Sequence, residues 1–245
     1  AQDLTSYGSD IYGKRNLAEM LDQLSDVEGL DWIRLHYAFP SQFPMEVFDV
    51  MNAKPNICKY LDIPLQHISD NMLKTMRRGI TKARTEDLIH QIRAKVPGIA
   101  IRTTMLVGHP GETQKDFDDL MNFVNDFKFD RLGVFTYSHE ENTHAYTLAD
   151  DISEEIKQER AEQLMELQQG ISFEINKNKI GNTYKVLFDR KEGDYFIGRT
   201  EFDSPEVDNE VLVNAKTNYV RIGDFANINI KSVEAYDLHG DVVNS

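Results

Sequence analysis

A chain of 245 residues, 40% hydrophobic and 28% charged, carries enough apolar material for one large domain or for a large one followed by a small one. Its 27 Lys and Arg against 41 Asp and Glu give a formal charge of -14, which argues against diffuse attraction to nucleic acid or anionic lipid and suits a basic partner. No apolar run approaches the ~20 residues of a membrane span, and AQDLTSYGSD lacks the regions of a signal peptide, so a cytoplasmic protein is expected; the single Cys58 leaves no disulfide framework and no cysteine-rich metal site within the chain.

In chain order, LAEMLDQLSDV predicts a first helix and WIRLHYAF, Trp32 to Phe39, a strand. MEVFDVMNA follows as a helix, and ICKYLDIPL, Ile57 to Leu65, as a second strand. The pair MLKTMRR and EDLIHQIRAKV precedes the strand IAIRTTMLV, Ile99 to Val107. FDDLMNFVNDF and the strand LGVFTYS, Leu132 to Ser138, complete the series. These strands are nearly continuous in hydrophobicity, as strands covered on both faces are. Ser69, and Thr113 with Asp116 three residues on, mark helix starts. Strand-helix alternation implies a parallel sheet of right-handed units, hence an α/β fold built as a (β/α) barrel or part of one.

Ser153, Glu154 and Glu155 open a long helix with Ile156, Leu164, Leu167, Ile171 and Ile175 on one face. Beyond Gly181 the period changes to short alternating strands, TYKVLFDR, DYFIGRT, EVLVNA and FANINIKSVEAYD, the pattern of a small barrel. The expected domains are 1–176 and 177–245. From Lys177 onward nine Lys and Arg stand against twelve Asp and Glu, a net charge of -3 concentrated around EFDSPEVDNE, Glu201 to Glu210.

In a parallel barrel, ligands sit above the C-terminal strand ends. Four such places carry polar clusters: Gln2-Asp3, Gln66-His67, Gly108 to Glu112, and Thr136 to Glu141. Arg102, inside an apolar strand, is either half of an internal ion pair or a clamp for a carboxylate. His67 and His109 read as hydrogen-bonded turn histidines. No metal-ligand spacing, Ser-His-Asp order or nucleophile elbow appears, so neither catalytic acid, base and nucleophile nor metal ligands are assigned. A glycine loop before the Thr113-capped helix also suits a barrel enzyme with a phosphorylated substrate. A non-catalytic protein-docking module is the third reading.

At these clusters AQDLTSYG, LDIPLQHISDNMLKTMRRG, IRTTMLVGHPGET and FTYSHEENTHAY resemble the radical S-adenosylmethionine methylthiotransferases, and the β-rich end resembles their TRAM domain. The resemblance covers essentially the whole chain and implies a partial radical-SAM, TIM-like barrel followed by a small OB-like TRAM barrel. It points to the branch acting on an aspartate of ribosomal protein S-twelve; a tRNA adenosine as substrate is the disfavoured alternative. Asn142 stands where that branch carries glycine. The resemblance places Gln2 and Asp3 at the methionine amino group of S-adenosylmethionine, Gln66 at the ribose and Arg102 at the carboxylate. Gly108, Pro110, Gly111 and Glu112 would cradle the adenosine, with Phe135, Thr136 and Tyr137 at the adenine edge. Glycine at 108 would let the backbone approach a flat ligand.

The family uses two [4Fe-4S] clusters held by cysteines, and this chain has only Cys58, inside an apolar strand. We therefore expect the cluster loop and an N-terminal domain to lie outside it. The resemblance implies cleavage of one S-adenosylmethionine, hydrogen abstraction from the aspartate β-carbon, sulfur insertion there and methylation by a second S-adenosylmethionine. No residue pattern names the electron donor.

Overall fold

A computed structural model describes residues 3–243, which divide after Gln168 into two compact units. The first is built on a parallel sheet of β1 (Ile33–Leu35), β2 (Ile57–Asp62), β3 (Ala100–Val107) and β4 (Arg131–Thr136), in that spatial order. Helices α1 (Leu17–Ser25), α2 (Val47–Ala53), α3 (Asp70–Thr75), α4 (Lys82–Lys95) and α5 (Gln114–Phe127) alternate with the strands. This is part of a (β/α) barrel, as the alternation requires.

The strands are covered unequally. In β3, Ile101, Thr103, Met105 and Val107 are buried while Arg102, Thr104 and Leu106 are only half-buried. Continuous hydrophobicity therefore overstated the covering of one face, the one that carries Arg102. β1 is also shorter than the run Trp32 to Phe39. Tyr37 takes a left-handed φ of 60°, its N–H donates to the Asp62 side chain at 3.0 Å, and Ala38 N–H donates to the Asp62 carbonyl at 2.9 Å. The chain bends out of the ladder to make those bonds.

Both helix starts read from sequence are present. Ser69 Oγ accepts from Met72 N–H to cap α3, and Thr113 with Asp116 forms a reciprocal capping box on α5. Asp116 does more than cap: it accepts from Ser69 Oγ at 2.5 Å, Asn71 Nδ2 at 3.0 Å, and Thr113 N and Oγ at 2.9 and 2.7 Å, joining the starts of α3 and α5. Burial pushes its carboxyl up, but the donors from Ser69, Thr113 and Asn71 outweigh that and hold it at about 2.

The long helix α6 (Glu154–Lys177) begins where Ser153 signals it, yet its buried face is only partly the aliphatic one. Ile156 is exposed, whereas Lys157, Arg160, Leu164, Gln168, Ile171 and Asn176 are buried. Four of these six are polar and each has its tip bonded: Lys157 to Asp150 and Glu154, Arg160 to Glu112, Gln168 to the Phe129 carbonyl, Asn176 to the carbonyls of Glu234 and Ala235. A hydrophobic period cannot report such a stripe, because apolar stems carry polar ends.

The second unit is a closed barrel of β5 (Thr183–Glu192), β6 (Tyr195–Arg199), β7 (Glu210–Asn214), β8 (Phe225–Val233) and β9 (Asp237–Val242), in the order β5-β6-β7-β9-β8. The run FANINIKSVEAYD, read as one strand, is β8 and a tight turn into β9, with Glu234 N–H donating to the Asp237 carbonyl. DLHGDV is too polar to announce a strand. It pairs because a Cβ on Gly240 would lie 2.6 Å from Asn229 O and one on Gly198 2.4 Å from Leu187 O, so both glycines permit close strand approach. Val186, Phe188, Val211, Val213, Ile228, Ile230 and Leu238 fill the interior.

Candidate functional site

The C-terminal ends of β1 to β4 bring the polar clusters together in two groups. At the β1 and β2 ends, Asp62 is buried and lies 3.7 Å from Arg102 Nε and 3.9 Å from His36 Nδ1, while holding Tyr37 N–H. Arg102 sits beside it in register on β3. The chain start joins this group where Leu4 N–H donates to the Tyr37 carbonyl at 3.0 Å. Asp3 caps the 3-10 turn Leu4–Ser6, accepting from Thr5 N and Oγ and from Ser6 Oγ. Its partial burial raises the carboxyl, but those donors prevail and leave it below the usual carboxylate range. Gln2 lies outside the described residues. Asp62 was missed by sequence reasoning, although a lone carboxylate in ICKYLDIPL was a visible cue.

The second group surrounds the loop after β3. Glu112 is fully buried as a side chain: its Oε1 accepts from His67 Nε2 at 3.0 Å, and its Oε2 from Gly108 N–H at 2.5 Å and Arg160 Nη1 at 2.7 Å. His67 Nδ1 accepts the N–H groups of Ile68 and Ser69, so its proton resides on Nε2. Glu112 therefore braces the loop from within. Gly108 has a φ of +74°, and a Cβ there would lie 2.2 Å from Lys157 Cγ. The close neighbour that a Cβ would meet is this lysine stem from α6. Gly111, at φ +80°, faces open space and donates its N–H to Asp151.

Beside this loop lies a cavity of about 420 Å³ whose walls include Gln66, Leu106, Arg77, His109, Tyr137 and His144. Gln66 holds a left-handed φ of 72°, uncommon for a side-chain-bearing residue, and is fixed by hydrogen bonds to Thr104 O and from Leu106 N. His109 donates from Nδ1 to the Pro110 carbonyl, which leaves Nε2 as an acceptor, and burial lowers its pKa so that the ring is neutral at pH 7. Tyr137 is buried between His109, whose ring centroid is 5.2 Å away, and Lys157 Nζ at 5.3 Å, and its hydroxyl meets His139 Nδ1. Burial raises the Tyr137 phenol and Asp150 adds to the effect. Asn142 has a φ of 66°, which asparagine tolerates nearly as glycine does, so the departure at that position preserves the backbone.

The cavity thus unites Gln66 and Tyr137 with His109, while Arg102 and Asp3 belong to the Asp62 group. Pro110 is buried under its own turn, Thr136 is half-buried at the end of β4, and Phe135 is 64% exposed. Residues 3–124 match the Radical SAM superfamily and residues 180–243 the TRAM domain. Over 243 residues, 99% of the chain, it is 66% identical to the ribosomal protein uS12 methylthiotransferase RimO of Cytophaga hutchinsonii. The RimO of Flavobacterium johnsoniae is 58% identical over 241 residues, 98% of the chain. The chain belongs to the radical SAM methylthiotransferase family. It spans about half the length of these curated relatives, 56% and 55%. Among solved structures, coproporphyrinogen III oxidase HemN from Escherichia coli superposes with a TM-score of 0.51 at 14% identity, over 83% of this chain and 52% of that one, which is a likeness of fold. No helix of the described residues is long and apolar enough to cross a membrane.

Proposed function

We propose that this protein takes part in adding a methylthio group to the β-carbon of an aspartate in ribosomal protein uS12, the S-twelve protein of the sequence expectation. The observation that carries this reading is 66% identity over 99% of the chain to a curated enzyme named for that modification. The activity belongs to the longer protein. Cys58 is buried within β2, so this chain does not supply the thiolates of either [4Fe-4S] cluster.

The residues present fit S-adenosylmethionine. Arg102 and Asp62 offer opposite charges for the ligand carboxylate and amino group, with Asp3 on the amino side. The cavity offers the Gln66 amide toward a ribose and the neutral His109 beside Tyr137 toward an adenine, with Phe135 and Thr136 at its edge. Gly111 has no neighbour within 4 Å of where a Cβ would stand, which leaves the loop Gly108 to Glu112 open on that side for a flat ligand. When bound, S-adenosylmethionine supplies the hydrogen-abstracting group and the methyl group. The chain's own residues bind and orient: Glu112 holds Gly108 N–H and so fixes the loop, while Tyr137 and Lys157 close its inner side.

The domain boundary is proposed after Asn176. The small barrel is proposed to receive the basic ribosomal protein, since carboxylates outnumber its cations. Within the stretch Glu201 to Glu210, Asp203 and Asp208 are used internally: Asp203 accepts from Thr200 Oγ at 2.5 Å, and Asp208 from Ser204 N–H at 2.8 Å. Titration of the chain with S-adenosylmethionine by calorimetry should give saturable binding that Gln66→Ala and Arg102→Ala weaken. In the full-length enzyme with reconstituted clusters, mass spectrometry should find the methylthio group on uS12 and none on tRNA. Modification of tRNA alone would overturn the reading.

A further inference from the structure

Helix α3 ends in a Schellman turn: Arg77 N–H donates to the Lys74 carbonyl at 3.1 Å and Arg78 N–H to the Leu73 carbonyl at 2.9 Å. The left-handed position of such a turn usually belongs to glycine, yet here it is held by Arg77, at a φ of 55°. The Arg77 side chain is exposed and makes no ion pair among the described residues, although the chain carries 41 Asp and Glu against 27 Lys and Arg. Neither packing nor a salt bridge accounts for an arginine at this strained place.

Arg77 lines the cavity of about 420 Å³ whose walls also include Gln66, His109 and Tyr137. The other arginine of that lining, Arg78, is tied down: its Nη2 donates to the Pro64 carbonyl at 2.7 Å, and its guanidinium lies 4.6 Å over the Phe39 ring. Glu140, a carboxylate of the same lining, accepts from Ser138 Oγ at 2.6 Å. S-adenosylmethionine has no use for Arg77. Its one carboxylate is assigned to Arg102, its adenosine carries no negative charge, and its sulfonium would be repelled. The cavity therefore offers an unpaired guanidinium to a second, anionic molecule.

We propose that Arg77 receives the side-chain carboxylate of the substrate aspartate and sets the preference for aspartate over asparagine. This deepens the proposed function and rests on it. The carbon to be modified is bonded directly to that carboxylate, so a group that grips the carboxylate also places the carbon at the cavity. A guanidinium suits the task because two parallel N–H donors match the two oxygens of a carboxylate, whereas an amide offers one oxygen and turns its own donors toward the arginine. Arg77 also borders a second cavity, of about 460 Å³, with Lys74 and Arg84, both exposed and outside any ion pair among the described residues. The one carboxylate of that border, Asp70, accepts from Lys82 N–H at 2.7 Å. The positive edge thus continues past Arg77 and draws a carboxylate toward it.

The test uses the full-length enzyme with reconstituted clusters and S-adenosylmethionine, and two fluorescent probes: uS12, and uS12 with its modified aspartate changed to asparagine. By fluorescence anisotropy the wild-type enzyme should bind the aspartate form about tenfold more tightly. Arg77→Ala should bind both forms equally, and Arg77→Lys should keep part of the preference. Lys74→Ala, which borders only the second cavity, should keep all of it. Calorimetry should find S-adenosylmethionine affinity unchanged in Arg77→Ala. Arg77→Gly should raise the thermal midpoint, since glycine takes the left-handed backbone without a Cβ clash. A preference that survives Arg77→Ala, one lost equally in Lys74→Ala, none in the wild type, a lowered midpoint for Arg77→Gly, or S-adenosylmethionine binding weakened by Arg77→Ala would overturn the assignment and leave the proposed function standing. Absence of both uS12 binding and uS12 modification in the wild type, with S-adenosylmethionine still bound, would remove the proposed function and this assignment with it.

Discussion

Asp116→Asn tests whether one carboxylate joins α3 to α5. The substitution keeps the shape of the side chain and removes the charge that four donors from Ser69, Asn71 and Thr113 surround. The carboxyl titrates at about 2 in the fold against an ordinary 3.8, a difference that corresponds to roughly 2–3 kcal/mol of folding free energy at neutral pH. Because the folded value is the lower one, this contribution is present above the unfolded value and fades as pH falls through it toward the folded one. Urea denaturation followed by the emission of Trp32, the single tryptophan, reads the larger unit without interference from the barrel. At neutral pH the variant should lose roughly 2–3 kcal/mol, and the gap to wild type should narrow as pH drops below about 4. A loss under about 0.5 kcal/mol, or a gap independent of pH, would refute the carboxylate's role.

Gly108→Ala should cost about 2–4 kcal/mol, since the new Cβ meets Lys157 and the backbone is left-handed; in a Lys157→Ala background only the backbone part, about 1–2 kcal/mol, should remain in the same denaturation assay. Glu112→Gln keeps an acceptor for His67 but strips Arg160 of its charge partner, and an unpaired buried guanidinium should cost about 3–5 kcal/mol in that assay. Gly240→Val should prevent β8 and β9 from closing, seen as loss of the β signal in circular dichroism while Trp32 emission is retained. Cys58 should react with a thiol reagent only as fast as β2 opens, so labelling should accelerate with urea; rapid labelling in native buffer would show that the strand is open.

Much of the architecture was legible from local pattern. Helix caps at Ser69 and Thr113, the alternation of strands and helices, and the change of period after Gly181 all depend on residues a few places apart, and the structure repeats them. The β-hairpin into β9 was not legible, because DLHGDV has little apolar periodicity and pairs only where Gly240 lets strands approach. The same holds at the strand ends. Sequence singled out Gln66, Arg102 and the loop Gly108 to Glu112, but their partners stand far along the chain: Asp62 beside Arg102, and His67 and Arg160 around Glu112. A charged residue in a sequence does not say whether it faces water, a ligand or another side chain. Period, caps and turns are set by neighbours in the chain; the burial of Asp62, Glu112 and Lys157, and hence what each one holds, is set by which distant segments the fold packs around them.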